Sequence, residues 1–278
     1  MSGEWYDSMA PEEDAPIVEI DTSVAHSARV YDYWLGGKDN FAADRALGDA
    51  MIQAIPSLVT MARANRDFLG RAVRYLAGEA GIRQFLDIGT GIPAAGNTHE
   101  VAQEANPESR VVYVDNDPIV LAHARALMAS HPAGKTAFIQ GDIREPEKIL
   151  ASPAVRETLD LGQPVALMLI AILMLFGDDE NPQSWVRTLV GALPSGSYVA
   201  VTHPTGDFNP GEMAGAVAAA QHAGINLVPR GQAEVAAFLD GLDLIDPGVA
   251  PVLAWRPDGA NPADPRSAYY YAAIGRKP

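Results

Sequence analysis

Hydrophobic positions along this 278-residue chain follow two rhythms. The first is helical spacing, and it fills the N-terminal third. Residues 24–35 carry it after Asp21-Thr22-Ser23, a cluster suited to capping a helix, and Gly36-Gly37 ends it. It returns over 44–55, closed by Pro56, and over 59–80, where Met61, Phe68, Leu69, Val73, Tyr75 and Leu76 form the apolar side. The second rhythm is the short, nearly continuous apolar run of a strand buried on both faces. Such runs occupy 85–88, 110–114, 137–139, 165–173 and 198–202. Helical patterns separate or follow them at 98–105, 118–130, 146–151, 182–193 and 211–223. This alternation predicts βαβ units and a parallel sheet. Past a short helix at 233–239, strand-like pieces at 242–245, 249–254 and 267–274 follow, the last after a proline-rich loop at 257–265. The chain thus divides into an acidic tail over 1–16, expected to be mobile, a helical segment over 17–80 and an α/β segment over 81–278.

One residue breaks the strand pattern. In Gln84-Phe85-Leu86-Asp87-Ile88-Gly89-Thr90-Gly91-Ile92-Pro93, Asp87 stands where an apolar residue is the default. Gly89 and Gly91 then open a tight turn. Glycines let a ligand approach bare backbone, and such a turn is expected to point free N–H groups outward. Two readings compete. Gly89-Thr90-Gly91-Ile92-Pro93-Ala94 satisfies the G-x-G-x-x-A pattern of dinucleotide binding. A methyltransferase uses a similar turn for a cofactor with a sulfonium, an amino-acid tail and no phosphate. Asp87 then has a task, facing the ammonium end. Pro93 lacks an N–H and is awkward in a phosphate cradle.

Two more carboxylates follow the same logic. Asp115 ends the run Arg110-Val111-Val112-Tyr113-Val114 and can accept both ribose hydroxyls, with Asn116 beside the adenine. Asp117-Pro118 reads as the cap and first residue of a helix. Asp142, in Gln140-Gly141-Asp142-Ile143, can accept from the adenine amino group while Ile143 covers the ring, although helix capping would also explain it. Asp87, Asp115 and Asp142 sit at three successive strand ends, and open α/β sheets bind ligands there.

Composition narrows the classes. The net charge of −15, from 20 Lys+Arg against 35 Asp+Glu, argues against a general nucleic-acid surface. With no cysteine, disulfides, thiolate nucleophiles and Cys-type zinc sites are impossible. No cluster of His, Asp and Glu has clear metal spacing. The N-terminus lacks a signal-peptide pattern, and the longest apolar run, 165–176, is too short to span a bilayer. A soluble, cytoplasmic protein without membrane partners is the expectation.

The motifs Phe85-Leu86-Asp87-Ile88-Gly89-Thr90-Gly91, Val112-Tyr113-Val114-Asp115-Asn116-Asp117-Pro118 and Gly141-Asp142-Ile143-Arg144 resemble the class I S-adenosylmethionine-dependent methyltransferases. Arg29-Val30-Tyr31-Asp32-Tyr33-Trp34-Leu35-Gly36-Gly37-Lys38-Asp39-Asn40-Phe41, Arg63-Ala64-Asn65-Arg66-Asp67-Phe68-Leu69, Ala95-Gly96-Asn97-Thr98-His99-Glu100 and Trp255-Arg256-Pro257 are similar to the type 19 S-adenosyl methyltransferases, from about Ile20 onward. The resemblance implies a Rossmann-like, seven-stranded, mostly parallel sheet with an antiparallel last strand. It implies an N-terminal helical extension over S-adenosylmethionine, and a cofactor site of Asp87, Gly89, Gly91, Asp115, Asn116, Asp142 and Ile143, with Thr90 between the glycines. It also favours Tyr31–Asn40 as a lid over simple packing, making Tyr31, Tyr33, Gly37 and Asn40, with Arg63 and Asn65 in the helical stretch 59–80, candidates for the acceptor side. A histidine expected after the fourth strand is replaced by Ile172-Leu173-Met174. His203 and His99 are then the candidate bases, with Tyr33 and Asp32 as possible acceptor-site groups, though a lone histidine is more often structural. A small-molecule acceptor is expected, and the resemblance leaves its identity open. The alternatives are an NAD-dependent oxidoreductase and a binding protein that keeps the cofactor pocket without turnover.

Overall fold

The computed structural model describes residues 21–120, 130–259 and 263–278. The acidic tail expected over 1–16, most of the helix expected over 118–130 and part of the proline-rich loop lie outside the described residues.

Three helices come first: α1 (Ser27–Leu35), α2 (Ala42–Ala54) and α3 (Leu58–Arg74). Strands and helices then alternate through β1 (Gln84–Ile88), α4 (Thr98–Ala105), β2 (Arg110–Asp115), β3 (Lys135–Gln140), α5 (Pro146–Ala151), α6 (Pro153–Thr158), β4 (Ala166–Ile170), α7 (Pro182–Ala192), β5 (Tyr198–Pro204) and α8 (Pro210–His222). The chain closes with α9 (Gln232–Ala237), two-residue strands β6 (Asp243–Leu244) and β7 (Ala250–Pro251), and β8 (Tyr270–Arg276). The sheet order is β3-β2-β1-β4-β5-β8-β6. β1 to β5 pair in parallel, and β8 runs antiparallel to β5. The seven-stranded path is as expected, and β7 adds a short eighth strand on β8.

Three boundaries differ from the sequence reading. The helix expected over 59–80 ends at Arg74 and widens into a π turn, Tyr75–Glu79. The strand expected over 165–173 stops at Ile170, because Ala171 turns into the left-handed region with φ of 55° and the chain continues as a tight turn over Leu173–Leu175. The pieces at 242–245 and 249–254 shrink to two paired residues each.

Side chains of a strand alternate between faces, and the core follows that rule. Phe85, Val111, Tyr113, Ala166, Met168 and Ala200 face the layer that contains Val30, Trp34, Phe68 and Leu76. Leu86, Ile88, Val112, Val114, Leu167 and Val199 face the opposite layer, with Ile149, Val155 and Leu189. The helices α1–α3 therefore share one hydrophobic core with a face of the sheet. By the same alternation Asp87, two residues beyond Phe85, points toward α3 and α4.

Arg71 fastens α3 to the C-terminal part of the chain. Its guanidinium is buried and donates to the carbonyls of Trp255 (3.1 Å) and Val252 (2.7 Å). One turn later Arg74 makes a solvent-exposed pair with Asp258. Arg71→Met leaves two buried carbonyls without their charged donor and is expected to cost about 2–4 kcal/mol. Arg74→Ala should cost under about 1 kcal/mol, as exposed pairs do. Urea denaturation of the two variants measures the contrast, and equal losses would contradict it.

Candidate functional site

A cavity of about 480 Å³ opens at the C-terminal ends of β1 to β4, between the sheet and α1–α3. The loops after β1, β2 and β3 build one end. Asp87, Gly89, Thr90 and Gly91 line it from the first loop, Asp115 and Asn116 from the second, and Asp142 and Ile143 from the third.

The turn after β1 is held differently from the expectation. Gly89 (φ 76°) and Gly91 (φ 68°) both lie in the left-handed region. A Cβ on Gly89 would also run into the Ile172 side chain. The N–H groups of Gly89 and Thr90 donate to the Val114 carbonyl at 2.8 and 3.3 Å, and that of Gly91 donates to the Asp115 carboxylate at 2.8 Å. The free outward N–H groups expected for this turn are therefore absent. Helix α4 starts only at Thr98, and Glu100 already accepts from the N–H groups of Gly96 (2.7 Å) and Asn97 (3.0 Å). A pyrophosphate needs open donors at a helix N-terminus, and here the N–H groups of Gly89, Thr90, Gly91, Gly96 and Asn97 are already paired.

The acids have distinct surroundings. Asp87 is 4% exposed and accepts from the Thr98 hydroxyl at 2.6 Å. Burial pushes its pKa up to about 6 against the pull of that bond and of Arg66. A buried carboxylate of this kind is stabilised by a cation in the cavity. Asp115 accepts from the N–H groups of Gly91 and Asp117, and burial raises its pKa as well. Burial also works against ionisation of Asp142, but hydrogen bonds from Arg144 outweigh it and leave its pKa lowered. Asp117 caps the next helix through the Ile119 N–H at 2.9 Å, as expected, and its other oxygen lies 3.0 Å from Nδ1 of His26.

The other end of the cavity is apolar, with Val30, Trp34, Leu47 and Met51 from α1 and α2, Leu69 from α3, and Ile172 and Met174 from the loop after β4. Tyr31 and Asn65 line the cavity. The Tyr31 hydroxyl donates to the Ala62 carbonyl and accepts from Asn65 Nδ2, both at 2.9 Å, and burial raises its pKa to about 12.

Seven sequence candidates lie elsewhere, for reasons of geometry. Residues two apart on a helix point to different sides. Tyr33 therefore turns from the cavity that Tyr31 faces and donates to Asp49 at 2.7 Å. Arg63 is exposed while Asn65 is buried. Gly37 and Asn40 form a turn around the buried Asp32, whose carboxylate accepts from the Asp39 N–H and Asn40 Nδ2. A Cβ on Gly37 would overlap that carboxylate. Thus Asp32 is also a structural group. His99 is buried behind the turn, with Nδ1 at 2.8 Å from the Tyr113 hydroxyl. His203 is fully buried, between the Pro204 carbonyl and Arg230, and burial lowers its pKa to about 4. Neither histidine lines the cavity.

Two cavity residues escaped the sequence reading. His26 precedes α1 and meets Asp117 across the fold, a pairing only the tertiary structure creates. Arg66 follows Asn65 and reaches the loop after β1, donating to the Ala94 and Ala95 carbonyls and to Asn97 Oδ1 at 2.8 Å. Its signal was adjacency to Asn65 in an otherwise acidic protein.

Among curated proteins, no sequence matches this chain. Solved structures do. A DUF574 family protein from Streptomyces avermitilis is 48% identical over 94% of this chain and all of its own, with a TM-score of 0.91. A candidate methyltransferase from Thermobifida fusca is 43% identical over 92% of this chain and 96% of its own, with a TM-score of 0.86. Human N-acetylserotonin methyltransferase, solved with S-adenosylmethionine, shares the fold alone: 15% identity over 89% of this chain and 62% of its own, TM-score 0.50. The sequence profile described as S-adenosyl methyltransferase matches residues 13–278, and with it the chain belongs to the S-adenosyl methyltransferase family.

Proposed function

We propose that this protein methylates a small, mostly apolar molecule, with S-adenosylmethionine held over the ends of β1, β2 and β3. The observation that carries the reading is one cavity with three strand-end carboxylates at one end and an apolar wall at the other. When bound, S-adenosylmethionine would supply an electrophilic methyl group on a positively charged sulfur, with a neutral thioether as its leaving group.

The chain's residues fit that donor by charge. Asp87 is a buried carboxylate with one neutral hydrogen-bond partner, so a cation beside it relieves a desolvation cost. Asp115 and Asn116 lie where a ribose and its base would meet the end of β2, and Ile143 offers an apolar surface at the end of β3. The apolar end recognises an acceptor by excluding water and fixing its approach, which can supply much of a methyl-transfer rate. Among the described residues, His26 is the histidine that lines the cavity, its Nδ1 3.0 Å from the Asp117 carboxylate.

In calorimetry S-adenosylmethionine and S-adenosylhomocysteine should bind, and NADH should not. Failure of both adenosyl ligands to bind folded protein would sink the reading. Asp115→Ala should weaken both by at least about tenfold while leaving the thermal transition cooperative. Labelled methyl should pass from the donor to uncharged, apolar alcohols or phenols more readily than to charged analogues, as counted after organic extraction.

Binding should also depend on pH through Asp87. Below its raised pKa of about 6 the free protein holds a proton that must leave before a cation can sit there. Affinity should therefore fall about tenfold per pH unit below 6 and level off above 7. Asp87→Asn should remove that slope and weaken binding. Because the raised pKa costs the folded state stability as pH rises from 3.8 through about 6, the same variant should stabilise the free protein at pH 8, by up to ~3 kcal/mol. Calorimetry across pH 5–8 and thermal melts at pH 8 measure the two effects.

A further inference from the structure

A groove of about 470 Å³ lies between α3, the loop that precedes α4 and the segment 253–258. It meets the cavity described above at Arg66, which lines both. Three of the stretches that resemble the type 19 methyltransferases, 63–69, 95–100 and 255–257, come together at this groove, and only the first of them also lines the cavity. Its charged lining is Arg66, Arg71 and Arg74 with Asp67 and Asp258. The fold uses these guanidinium groups incompletely. Arg71 is buried, and its Nε and Nη2 donate to the Trp255 and Val252 carbonyls. Its Nη1 makes no hydrogen bond and stays open to solvent, in the groove that Arg71 lines. Burial works against the Arg71 charge, the Asp258 and Asp67 carboxylates support it, and Arg74 opposes it. Arg74 lies back over Gly70, where a Cβ would come within 3.3 Å of its Nη1. Its pair with Asp258 is exposed on both sides, so Asp258 is a replaceable partner held by under about 1 kcal/mol.

The charge count names the ligand class. Three guanidinium groups face two carboxylates, an excess of one positive charge on a chain whose net charge is −15. With Asp258 displaced, the same three face Asp67 alone, an excess of two. A phosphate monoester carries a charge of about −2 at neutral pH, and guanidinium forks match its oxygens. Val101, Leu253 and Pro257 give the groove an apolar wall for an organic body, and its volume is that of a small-molecule site. We propose that this groove binds a small phosphate monoester, whose dianion replaces the Asp258 carboxylate on Arg74 and accepts from Arg71 Nη1, at a site separate from that of the methyl donor. The site goes beyond the methyl-transfer reading and does not depend on it. It gives the cations of α3 a ligand of their own in an otherwise acidic protein.

Phenyl phosphate and benzoate are the probes, titrated into the full chain by calorimetry at pH 8 and low salt. Phenyl phosphate should bind saturably at one site, and more tightly than benzoate, which brings a single negative charge. Arg74→Ala, which removes only an exposed pair from the fold, should weaken phenyl phosphate by about tenfold or more. Asp258→Asn removes the competing carboxylate and should tighten it about threefold. Arg156→Ala, at an exposed arginine outside the groove, should leave it unchanged. Binding should also persist when the protein is saturated with S-adenosylhomocysteine. No binding by the wild type, equal affinity for the two probes, or equal weakening by Arg74→Ala and Arg156→Ala would overturn the proposal. So would loss of binding under S-adenosylhomocysteine, which would put the anion in the donor cavity. If S-adenosylhomocysteine does not bind at all, the donor reading fails, and the phenyl phosphate titrations of the wild type and the three variants still decide the groove.

Discussion

A carboxylate in the middle of an apolar sheet is the constraint around which this molecule is arranged. Strand alternation places Asp87 on the face of Phe85, toward α3 and α4. Burial makes its charge expensive, and a single neutral hydrogen bond from Thr98 offsets little of that cost. An aliphatic residue there would pack with its neighbours and gain stability. The turn that follows lines the cavity beside it. Its glycines bend the chain sharply, and its N–H groups close onto β2 and Asp115.

The same closure separates two ligand chemistries that share a glycine pattern. In a phosphate cradle the backbone supplies donors, and the ligand supplies negative charge. Here the donors are internally satisfied and side-chain carboxylates dominate the cavity end. Side-chain carboxylates stand here where a phosphate cradle would present open backbone donors. Glycines alone do not carry this distinction. Asp87 does, and the hydrogen-bond partners of the turn make it physical.

Much of this was legible in the sequence, because the relevant signals are local. Apolar runs marked the parallel strands, and the polar residues at their ends marked the cavity, since strand ends stay in register with the sheet whatever the loops do. Helix faces were harder. Tyr31 and Tyr33, or Asn65 and Arg63, differ by two positions in one motif, and only the packing direction of α1 and α3 decides which member looks inward. Gly37 and Asn40 misled because a turn built around a buried Asp32 uses the same residue types as a binding loop. The histidines misled for a related reason: polar side chains buried in a large sheet find neighbours such as Tyr113 and Arg230 that are distant in sequence. Arg66 was passed over because its contacts, at residues 94–97, are brought near only by the fold.

The core shared by the helical extension and the sheet has a consequence for traffic through the cavity. Val30, Trp34 and Phe68 are packed into the same apolar mass as Phe85 and Met168, and Arg71 pins α3 to the C-terminal segment. Lifting α1–α3 as a hinged flap would bring that whole interior into water, at a free energy comparable to partial unfolding. Entry and exit therefore leave that wall in place. A scaffold of this kind offers its guests a standing wall, already built before they arrive.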